Sequence, residues 1–312
     1  MTQYDVIIIG GGIVGFSAAI YAGRLNLKTL VIGKEKGGTI VKTDIVENYP
    51  GFKKISGIDL FNKILNHAKN YKIEIYNGNV ENITCGKNCF MIKTKKKKYN
   101  SKTVLFCTGS ELRKLNVKGE KEFLNKGVHS CALCDGPLYK NKVLAVIGGG
   151  DSAVKEALLL SQYAKKVYII ARNKLKPEPI NLARLKKNRK INIILSTQIK
   201  EIKGNKFVNS LILDKKYKNS NILKLDGIFV NIGHVPLSSL GIKLGVKVNK
   251  SKEIIISKES KTNIKGIYAA GDVTDTPFKQ AITGVGEAVK AVYSIYEYIN
   301  HERVLCNCID EK

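Results

Sequence analysis

The sequence lacks any apolar run long enough to cross a membrane. A transmembrane helix needs about 20 consecutive apolar residues, whereas the apolar stretch from Val6 to Ile9 leads directly into a glycine-rich turn. Asp5 interrupts the N-terminal segment, which a secretory signal peptide would not tolerate. We therefore expect a cytoplasmic protein with no membrane partner.

Acidic residues are scarce relative to basic ones, with 26 Asp and Glu against 53 Lys and Arg and a formal net charge of +27. Three interpretations stay open: a nucleic-acid or membrane-surface binder, a solvated lysine-rich surface, and a surface that attracts acidic protein partners. Charge determines association rather than fold. We favour the solvated surface and predict no nucleic-acid partner.

Cysteines are too scattered for a framework of structural disulfides, since their number is odd and the expected compartment is reducing. A close pair is then better explained as redox-active or metal-binding. The seven cysteines are Cys85, Cys89, Cys107, Cys131, Cys134, Cys306 and Cys308.

An internal repeat is present in the 312 residues, a length that suggests about two domains. Residues 4–9 are typical of a buried strand, and the glycine-rich turn of residues 10–15 follows. A predicted helix over residues 16–25 and a second strand over residues 28–32 complete the unit.

The same order of elements recurs later in the chain. It comprises a strand over residues 142–147, a glycine-rich turn over residues 148–153, a helix over residues 154–163 and a strand over residues 167–171. Two such units predict an α/β fold with two doubly wound, Rossmann-like nucleotide-binding domains.

The second domain is predicted to be inserted into the first. A turn-rich segment at residues 233–241 indicates the return crossing, and the last long helix is expected over residues 286–298. We therefore assign residues 1–113 and 243–312 to a discontinuous first nucleotide-binding domain. Residues 114–242 form the predicted NAD(P)H-binding domain.

The first glycine fingerprint is Gly10, Gly12 and Gly15. In such turns the first glycine permits a tight turn, the second lets the backbone approach a pyrophosphate, and the third lets the helix pack on the strand. Helix N-terminal N–H groups then face the phosphates. Glu35, about twenty residues on, is a candidate acceptor for ribose hydroxyls, with an exposed loop carboxylate as the alternative.

The second fingerprint is Gly148, Gly150 and Ala153. At the end of the following strand an acid selects NADH and basic residues select NADPH. The stretch after Ile170 is basic and carries no acid before Glu178. This composition favours NADPH.

The segment Cys131-Ala132-Leu133-Cys134-Asp135-Gly136 lies just before the second nucleotide-binding strand. Two residues between cysteines suit a reversible disulfide or half of a zinc site. Zinc would need further ligands, for which only His129 and the two cysteines near the C-terminus are candidates. The redox interpretation explains more, because an adjacent Asp can move a proton as a disulfide opens and closes. We therefore predict no metal site.

These segments together resemble the low-molecular-weight thioredoxin reductases over nearly the whole chain. Singly the matching segments are weak, but in this order they are specific to that family. They are Gly10 to Gly15, Glu47-Asn48-Tyr49-Pro50-Gly51, Thr108-Gly109, Cys131 to Gly136, Gly148 to Ala153, Ile232-Gly233-His234, Ala270-Gly271-Asp272-Val273 and Lys279-Gln280-Ala281.

The resemblance implies FAD as the cofactor of the discontinuous domain (residues 1–113 and 243–312), together with the residues that hold it. The implied FAD residues are Gly10, Gly12, Gly15, Glu35, Gly38, Thr39, Asn48, Asp272, Gln280 and Ala281. The pyridine nucleotide is expected near Gly150, Ser152, Ala153 and Arg172.

The resemblance also implies the roles of the dithiol. Cys134 is expected to face the flavin, Cys131 to attack the target disulfide, and Asp135 to act as the acid–base residue. The implied partner is thioredoxin or a thioredoxin-like acidic protein, and the implied assembly is a homodimer.

One departure from the family concerns the electron donor. NADPH-dependent members carry a His-Arg-Arg pattern at the end of the second strand, where this chain has Ala171, Arg172 and Asn173. Lys174 and Lys176 supply charge without the bidentate fork of Arg. NADPH, NADH and reduced ferredoxin therefore stay open as donors.

Two rival functions follow from the residues. One is a ferredoxin-linked or otherwise-linked flavin disulfide reductase that serves a glutaredoxin-like or peroxiredoxin partner. The other, from a different class, is a basic nucleic-acid-binding protein, which leaves the paired glycine fingerprints unexplained.

Overall fold

A computed structural model describes residues 3–33, 37–86 and 89–301 of the chain. The chain divides into two compact units, the first comprising Met1–Glu111 and Val235–Lys312 and the second Leu112–His234. This division leaves residues 235–242 with the first unit, whereas the predicted boundary followed residue 242. The assignment of one cofactor to each domain stays a prediction.

The strands of the described residues are numbered in chain order. They are β1 (Gln3–Ile9), β2 (Thr29–Gly33), β3 (Ile73–Asn77), β4 (Val80–Cys85), β5 (Phe90–Thr94), β6 (Lys98–Phe106), β7 (Ser110–Leu112), β8 (Val128–His129), β9 (Val143–Ile147), β10 (Lys166–Ile170), β11 (Ile191–Ile194), β12 (Ile199–Gly204), β13 (Val208–Tyr217), β14 (Ser220–Lys224), β15 (Gly227–Val230), β16 (His234–Pro236) and β17 (Ile267–Ala269).

The helices are numbered in the same way, with two short 3-10 helices at Gly38–Lys42 and Gly136–Tyr139. They are α1 (Ile13–Arg24), α2 (Gly57–Lys69), α3 (Ala132–Asp135), α4 (Asp151–Tyr163), α5 (Pro179–Lys187), α6 (Ser239–Lys243) and α7 (Ala281–His301). No helix among these is both long and apolar enough to span a bilayer.

The first unit is built on a seven-stranded sheet in the order β3-β2-β1-β6-β5-β4, with β17 pairing to β6. Strands β1, β2, β3, β6 and β17 run parallel, and β4 and β5 form an antiparallel extension. Val6 and Ile8 pack against α1, α2 and α7, while Ile7 and Ile9 face the apolar cluster on the other side. Burial on both faces explains the uninterrupted apolar run of β1.

The second unit contains a five-stranded parallel sheet in the order β11-β10-β9-β15-β8 and an antiparallel sheet of β12, β13 and β14. Leu144 and Val146 pack toward α4 and α5, and Ala145 and Ile147 pack into the cluster that includes the antiparallel sheet. One mainly parallel sheet and one parallel sheet, each with crossover helices, confirm the doubly wound, Rossmann-like α/β fold.

The last long helix begins at Ala281, and the predicted start at residue 286 is wrong. Glycine is a poor helix former, yet Gly284 and Gly286 both lie within α7. The structure explains Gly284 by close approach, since a Cβ there would lie 2.7 Å from Val14 Cγ2 and 3.0 Å from Gly271 Cα.

Candidate active site

The first glycine turn joins β1 to α1 in the first unit. Gly10 has a φ of +131°, and a Cβ on it would lie 2.0 Å from the Cys107 carbonyl oxygen. A Cβ on Gly15 would lie 2.0 Å from the Gly10 carbonyl oxygen. Next to Gly12, by contrast, the nearest atom would be 3.7 Å away. The outer glycines are therefore fixed by packing, and the middle one borders open space.

Three parallel strands end side by side next to this turn. Ile9 pairs with Phe106, and Phe106 pairs with Ala269, so the carboxyl ends of β1, β6 and β17 are adjacent. Asp272 follows β17 at that edge, half-buried, with its Oδ2 3.4 Å from Ser110 Oγ. Ligands of doubly wound sheets bind at such carboxyl edges.

The remaining candidate FAD residues of the described chain approach the same turn. Gly37 N–H donates to the Gly11 carbonyl at 2.8 Å, which brings the 3-10 helix containing Gly38 and Thr39 beside it. Asn48 Nδ2 donates to Gln280 Oε1 at 2.9 Å, at the start of α7 where Ala281 also lies. Glu35 lies outside the described residues.

Sequence inspection missed Glu287, a carboxylate of α7 that is only 4 % exposed. It accepts the Gly271 N–H at 2.7 Å and the Thr274 hydroxyl at 3.3 Å, and it also contacts the Thr276 hydroxyl. It thus holds the loop that carries Asp272. Its only sequence signal is an acid in an otherwise apolar helix face.

The second glycine turn joins β9 to α4 in the second unit. Gly148 has a φ of +149°, and a Cβ on it would lie 1.9 Å from the Asn231 carbonyl oxygen. Gly150 is the N-cap of α4, and a Cβ on it would meet nothing within 4 Å. Ala153 is fully buried and Ser152 is exposed. Backbone N–H groups at this helix start therefore border open space, as a pyrophosphate requires.

A basic loop lies beside the second turn. Lys176 N–H donates to the Gly149 carbonyl at 2.7 Å, and the Arg172, Lys174 and Lys176 side chains are exposed. The loop is anchored by Asp151, whose Oδ1 accepts the Glu178 N–H at 2.8 Å. The structure thus brings Gly150, Ser152, Ala153 and Arg172 to one edge of the sheet.

Asp151 would place an unwanted negative charge at this edge if it were unpaired. Lys155 pairs with it at 2.8 Å, and Asn181 donates to it at 2.8 Å. Burial acts to raise the pKa of the Asp151 carboxyl, but these partners and the Glu178 N–H outweigh burial and lower it.

The dithiol turn is the one-turn helix α3 with Cys131 at its N-cap. Cys131 and Cys134 form a disulfide with their Cα atoms 5.3 Å apart. The Cys134 N–H donates to Cys131 Sγ at 3.1 Å. Cys131 is 7 % exposed, whereas Cys134 is exposed. The structure therefore brings the two cysteines together in the oxidised form.

Asp135 ends this turn and is half-buried. Its Oδ2 lies 3.1 Å from His129 Nδ1, and His129 Nε2 lies 2.8 Å from the Tyr139 hydroxyl. A Cβ on Gly136 would lie 2.9 Å from Leu160 Cδ2, so the turn packs closely on α4. His129 and Tyr139 were not predicted as site residues.

In the described part of the chain, no three His, Cys, Asp or Glu side chains form a cluster that could hold a metal ion. Cys306 and Cys308, the other zinc ligands considered from sequence, lie outside the described residues.

Glu156, on the buried side of α4, was also missed. Burial raises the pKa of its carboxyl from the usual 4.5 to about 7, against the opposing effects of Asn231 and the Ala132 N–H. Its Oε2 is buried without a hydrogen-bond partner. Glu156 therefore lies next to the dithiol turn as a carboxyl that titrates near neutrality.

We expect the free energy of unfolding to fall as pH rises from about 4.5 to about 7, because the folded chain holds a Glu156 proton that the unfolded chain releases. The contribution is about 3 kcal/mol across this window. Glu156→Gln should remove it, and Glu122→Gln, an exposed change in the same unit, should not. Urea unfolding between pH 5 and 8 measures this, and an unchanged pH slope in Glu156→Gln contradicts it.

Comparison with known proteins gives one family model that matches residues 4–292, described as pyridine nucleotide-disulphide oxidoreductase. The chain is 39% identical to the thioredoxin reductase of Bacillus subtilis over 300 residues, which cover 95% of each chain.

Solved structures give the same result. The thioredoxin reductase of Lactococcus lactis superposes with a TM-score of 0.92 at 35% identity, covering 96% of this chain and 99% of that one. A ferredoxin-flavin thioredoxin reductase from Clostridium acetobutylicum superposes with a TM-score of 0.53 at 32% identity, covering 96% and 99%.

Proposed function

This chain belongs to the pyridine nucleotide-disulphide oxidoreductases and, among them, to the low-molecular-weight thioredoxin reductases, and we propose that it reduces the disulfide of thioredoxin or a thioredoxin-like protein. It is an FAD-dependent disulfide oxidoreductase, and its family uses NADPH. The observation that carries the proposal is the Cys131–Cys134 disulfide beside Asp135.

The residues of the first unit fit an FAD cofactor. The space beside Gly12 and the free N–H groups of α1 suit a pyrophosphate, and Asp272, Asn48 and Gln280 supply polar side chains at the same edge. When bound, FAD supplies the electron transfer between pyridine nucleotide and dithiol. The full set proposed to hold it is Gly10, Gly12, Gly15, Glu35, Gly38, Thr39, Asn48, Asp272, Gln280 and Ala281.

The dithiol turn supplies the chemistry toward the protein substrate. We assign Cys131 as the sulfur that attacks the substrate disulfide, which forms a mixed disulfide and releases one substrate thiolate. Cys131 is only 7 % exposed in the disulfide form, so this attack requires the dithiol turn to expose its sulfur. Cys134 then attacks Cys131 Sγ, which reforms the Cys131–Cys134 disulfide and releases the second thiolate. Asp135 takes the protons that leave the two cysteines and returns them to the substrate thiolates. The Cys134 N–H, directed at Cys131 Sγ, supports a thiolate there.

The second unit is the proposed NADPH-binding domain, through Gly150, Ser152, Ala153 and Arg172. The open space at Gly150 and the exposed cations beside it support this assignment. Exposed Arg172 is the residue best suited to a 2′-phosphate, because its planar fork binds oxygen pairs bidentately. NADH and ferredoxin stay as alternative donors, and a relative from Clostridium acetobutylicum carries ferredoxin in its name.

Arg172→Ala is expected to raise the dissociation constant for NADPH about tenfold and to leave NADH binding unchanged, because one charge-assisted hydrogen bond to phosphate is lost. Lys165→Ala removes the same charge just before the amino end of β10 and should change neither constant. Flavin reduction rates over a nucleotide concentration series measure both. An undiminished NADPH preference in Arg172→Ala would assign the phosphate to Lys174 or Lys176.

The remaining partner assignments rest on charge and family. A net charge of +27 would attract an acidic thioredoxin and speed the encounter. The homodimer, the cytoplasmic location and the absence of nucleic-acid and membrane partners stay predictions.

The test is an anaerobic titration of the purified flavoprotein, first with NADPH and then with NADH, followed by oxidised thioredoxin. We expect NADPH to bleach the flavin absorbance and thioredoxin to restore it, with one thioredoxin dithiol formed per NADPH. Bleaching without restoration by thioredoxin would favour a glutaredoxin-like or peroxiredoxin partner. No bleaching by either nucleotide would favour ferredoxin as donor.

A further inference from the structure

A buried histidine ring lies between the dithiol turn and the parallel sheet of the second unit. His129 ends β8 and is only 7 % exposed. It pairs with Phe229 of β15, which explains why the two rings stack with their centroids 5.4 Å apart and their planes at 28°. The stack fixes the plane of the imidazole.

Both ring nitrogens face titratable groups. Nε2 lies 2.8 Å from the Tyr139 hydroxyl, and Nδ1 lies 3.1 Å from Asp135 Oδ2. Nδ1 is fully buried, and although it is at ion-pair distance from the carboxylate it does not meet hydrogen-bond geometry. A buried polar nitrogen normally has a hydrogen-bond partner, and the Asp135 carboxylate is an acceptor within reach of Nδ1.

The neighbours of the ring determine which nitrogen carries the proton in a neutral imidazole. An ionised carboxylate only accepts hydrogen bonds, so the nitrogen that faces Asp135 carries the proton. Nε2 must then accept, and the Tyr139 hydroxyl donates to it. Burial, together with the charges of Asp135 and Asp226, raises the pKa of Tyr139, which keeps its hydroxyl protonated as this requires.

The Tyr139 ring is itself fixed in place. It makes edge-to-face contacts with His129 and Phe229, at centroid distances of 5.4 and 6.0 Å. A Cβ on Gly227 would lie 2.6 Å from Tyr139 Cε1, so the ring lies directly against the backbone of β15. Tyr139 can therefore hold the imidazole in one orientation.

We propose that His129 is a positioning residue for Asp135: its Nδ1–H donates to the Asp135 carboxylate and orients it for proton exchange with the dithiol. This inference rests on the proposed function, in which Asp135 moves the protons of the disulfide exchange. A partner behind a reacting group fixes its orientation and favours one ionisation state. Asp135 and Tyr139 contact the ring, and Asp226 acts on Tyr139 through its charge.

The experiment uses the full-length holoenzyme, reduced with NADPH and then mixed with oxidised thioredoxin in a single turnover. His129→Phe keeps the aromatic stack but loses both nitrogens, and should lower the rate of thioredoxin reduction about 30-fold. His129→Asn keeps an N–H near Nδ1 and should recover most of that loss. Tyr139→Phe should give an intermediate rate. Flavin reduction by NADPH and the KM for thioredoxin should not change in any of them.

A double substitution separates positioning from a general structural effect. In an Asp135→Asn background, His129→Phe should cause no further loss, because the two residues act through one carboxylate. An equal loss in both backgrounds overturns the proposal. A His129→Asn rate as low as that of Asp135→Asn also overturns the proposal. This second result can be obtained even if His129→Phe fails to fold. If the wild-type chain itself leaves thioredoxin oxidised, the proposed function fails instead, which is a distinguishable result.

Discussion

Replacing either cysteine of the dithiol turn is expected to lower thioredoxin reduction about 10³-fold or more, because each sulfur forms a covalent bond in the exchange. Cys131→Ser and Cys134→Ser should both keep FAD and accept electrons from NADPH at the wild-type rate. The disulfide joins residues only three apart in sequence, so it constrains little of the chain and its loss should leave the second unit folded. Steady-state assays measure the rate of thioredoxin reduction, and stopped-flow absorbance measures the rate of flavin reduction by NADPH.

The two variants should differ in what they trap. With Cys134→Ser, Cys131 attacks the thioredoxin disulfide and the mixed disulfide persists, because no second sulfur resolves it. Cys131→Ser should give no such adduct. Mass spectrometry without reductant detects it, and Cys85→Ser, which removes an exposed free cysteine, is the matched control. An adduct in Cys131→Ser alone would exchange the two roles.

The second large effect is expected from two matched glycine substitutions, each of which should disable a different one of the two proposed nucleotide sites. Gly12→Ala should yield protein largely without FAD, while Gly150→Ala should keep FAD and lose reduction by NADPH. In each case a methyl group enters the space proposed for a pyrophosphate and breaks one or two charge-assisted hydrogen bonds. The expected rise in dissociation constant is roughly 10–100-fold.

Folding should survive both changes, because Gly12 and Gly150 have extended backbones, with φ of −88° and −83°, and space for a Cβ. Gly148→Ala, by contrast, should destabilise the second unit. A φ of +149° is strained for alanine, and the new Cβ would clash with the Asn231 carbonyl oxygen. Flavin absorbance per protein, NADPH titration and thermal unfolding distinguish these outcomes. Normal cofactor use by Gly12→Ala and Gly150→Ala would contradict both proposed sites.

The family and the fold class were predictable from the sequence and are confirmed, because their signals act locally. A glycine at a turn with positive φ, a run of apolar residues in a strand buried on both faces, and two cysteines three residues apart each impose their structure on the nearest neighbours. The roles of the individual site residues stay predictions, and Glu35 lies outside the described residues.

The predicted start of α7 was wrong because it used only such local signals. Local propensity argues against Gly284 in a helix, but the close contact with Val14 and Gly271 comes from residues far away in the chain. A rule based on neighbouring residues has no access to such a contact.

Only the tertiary structure determined which polar groups surround the dithiol turn. His129 contacts Asp135 because β8 pairs with β15 and presents the ring to Phe229. Glu156 titrates near pH 7 because packing removes water from it. Sequence alone determined which backbone turns and which sulfurs this protein has. Burial and the distance between side chains depend on pairing between distant strands, so only the folded chain determined which carboxyl faces which ring.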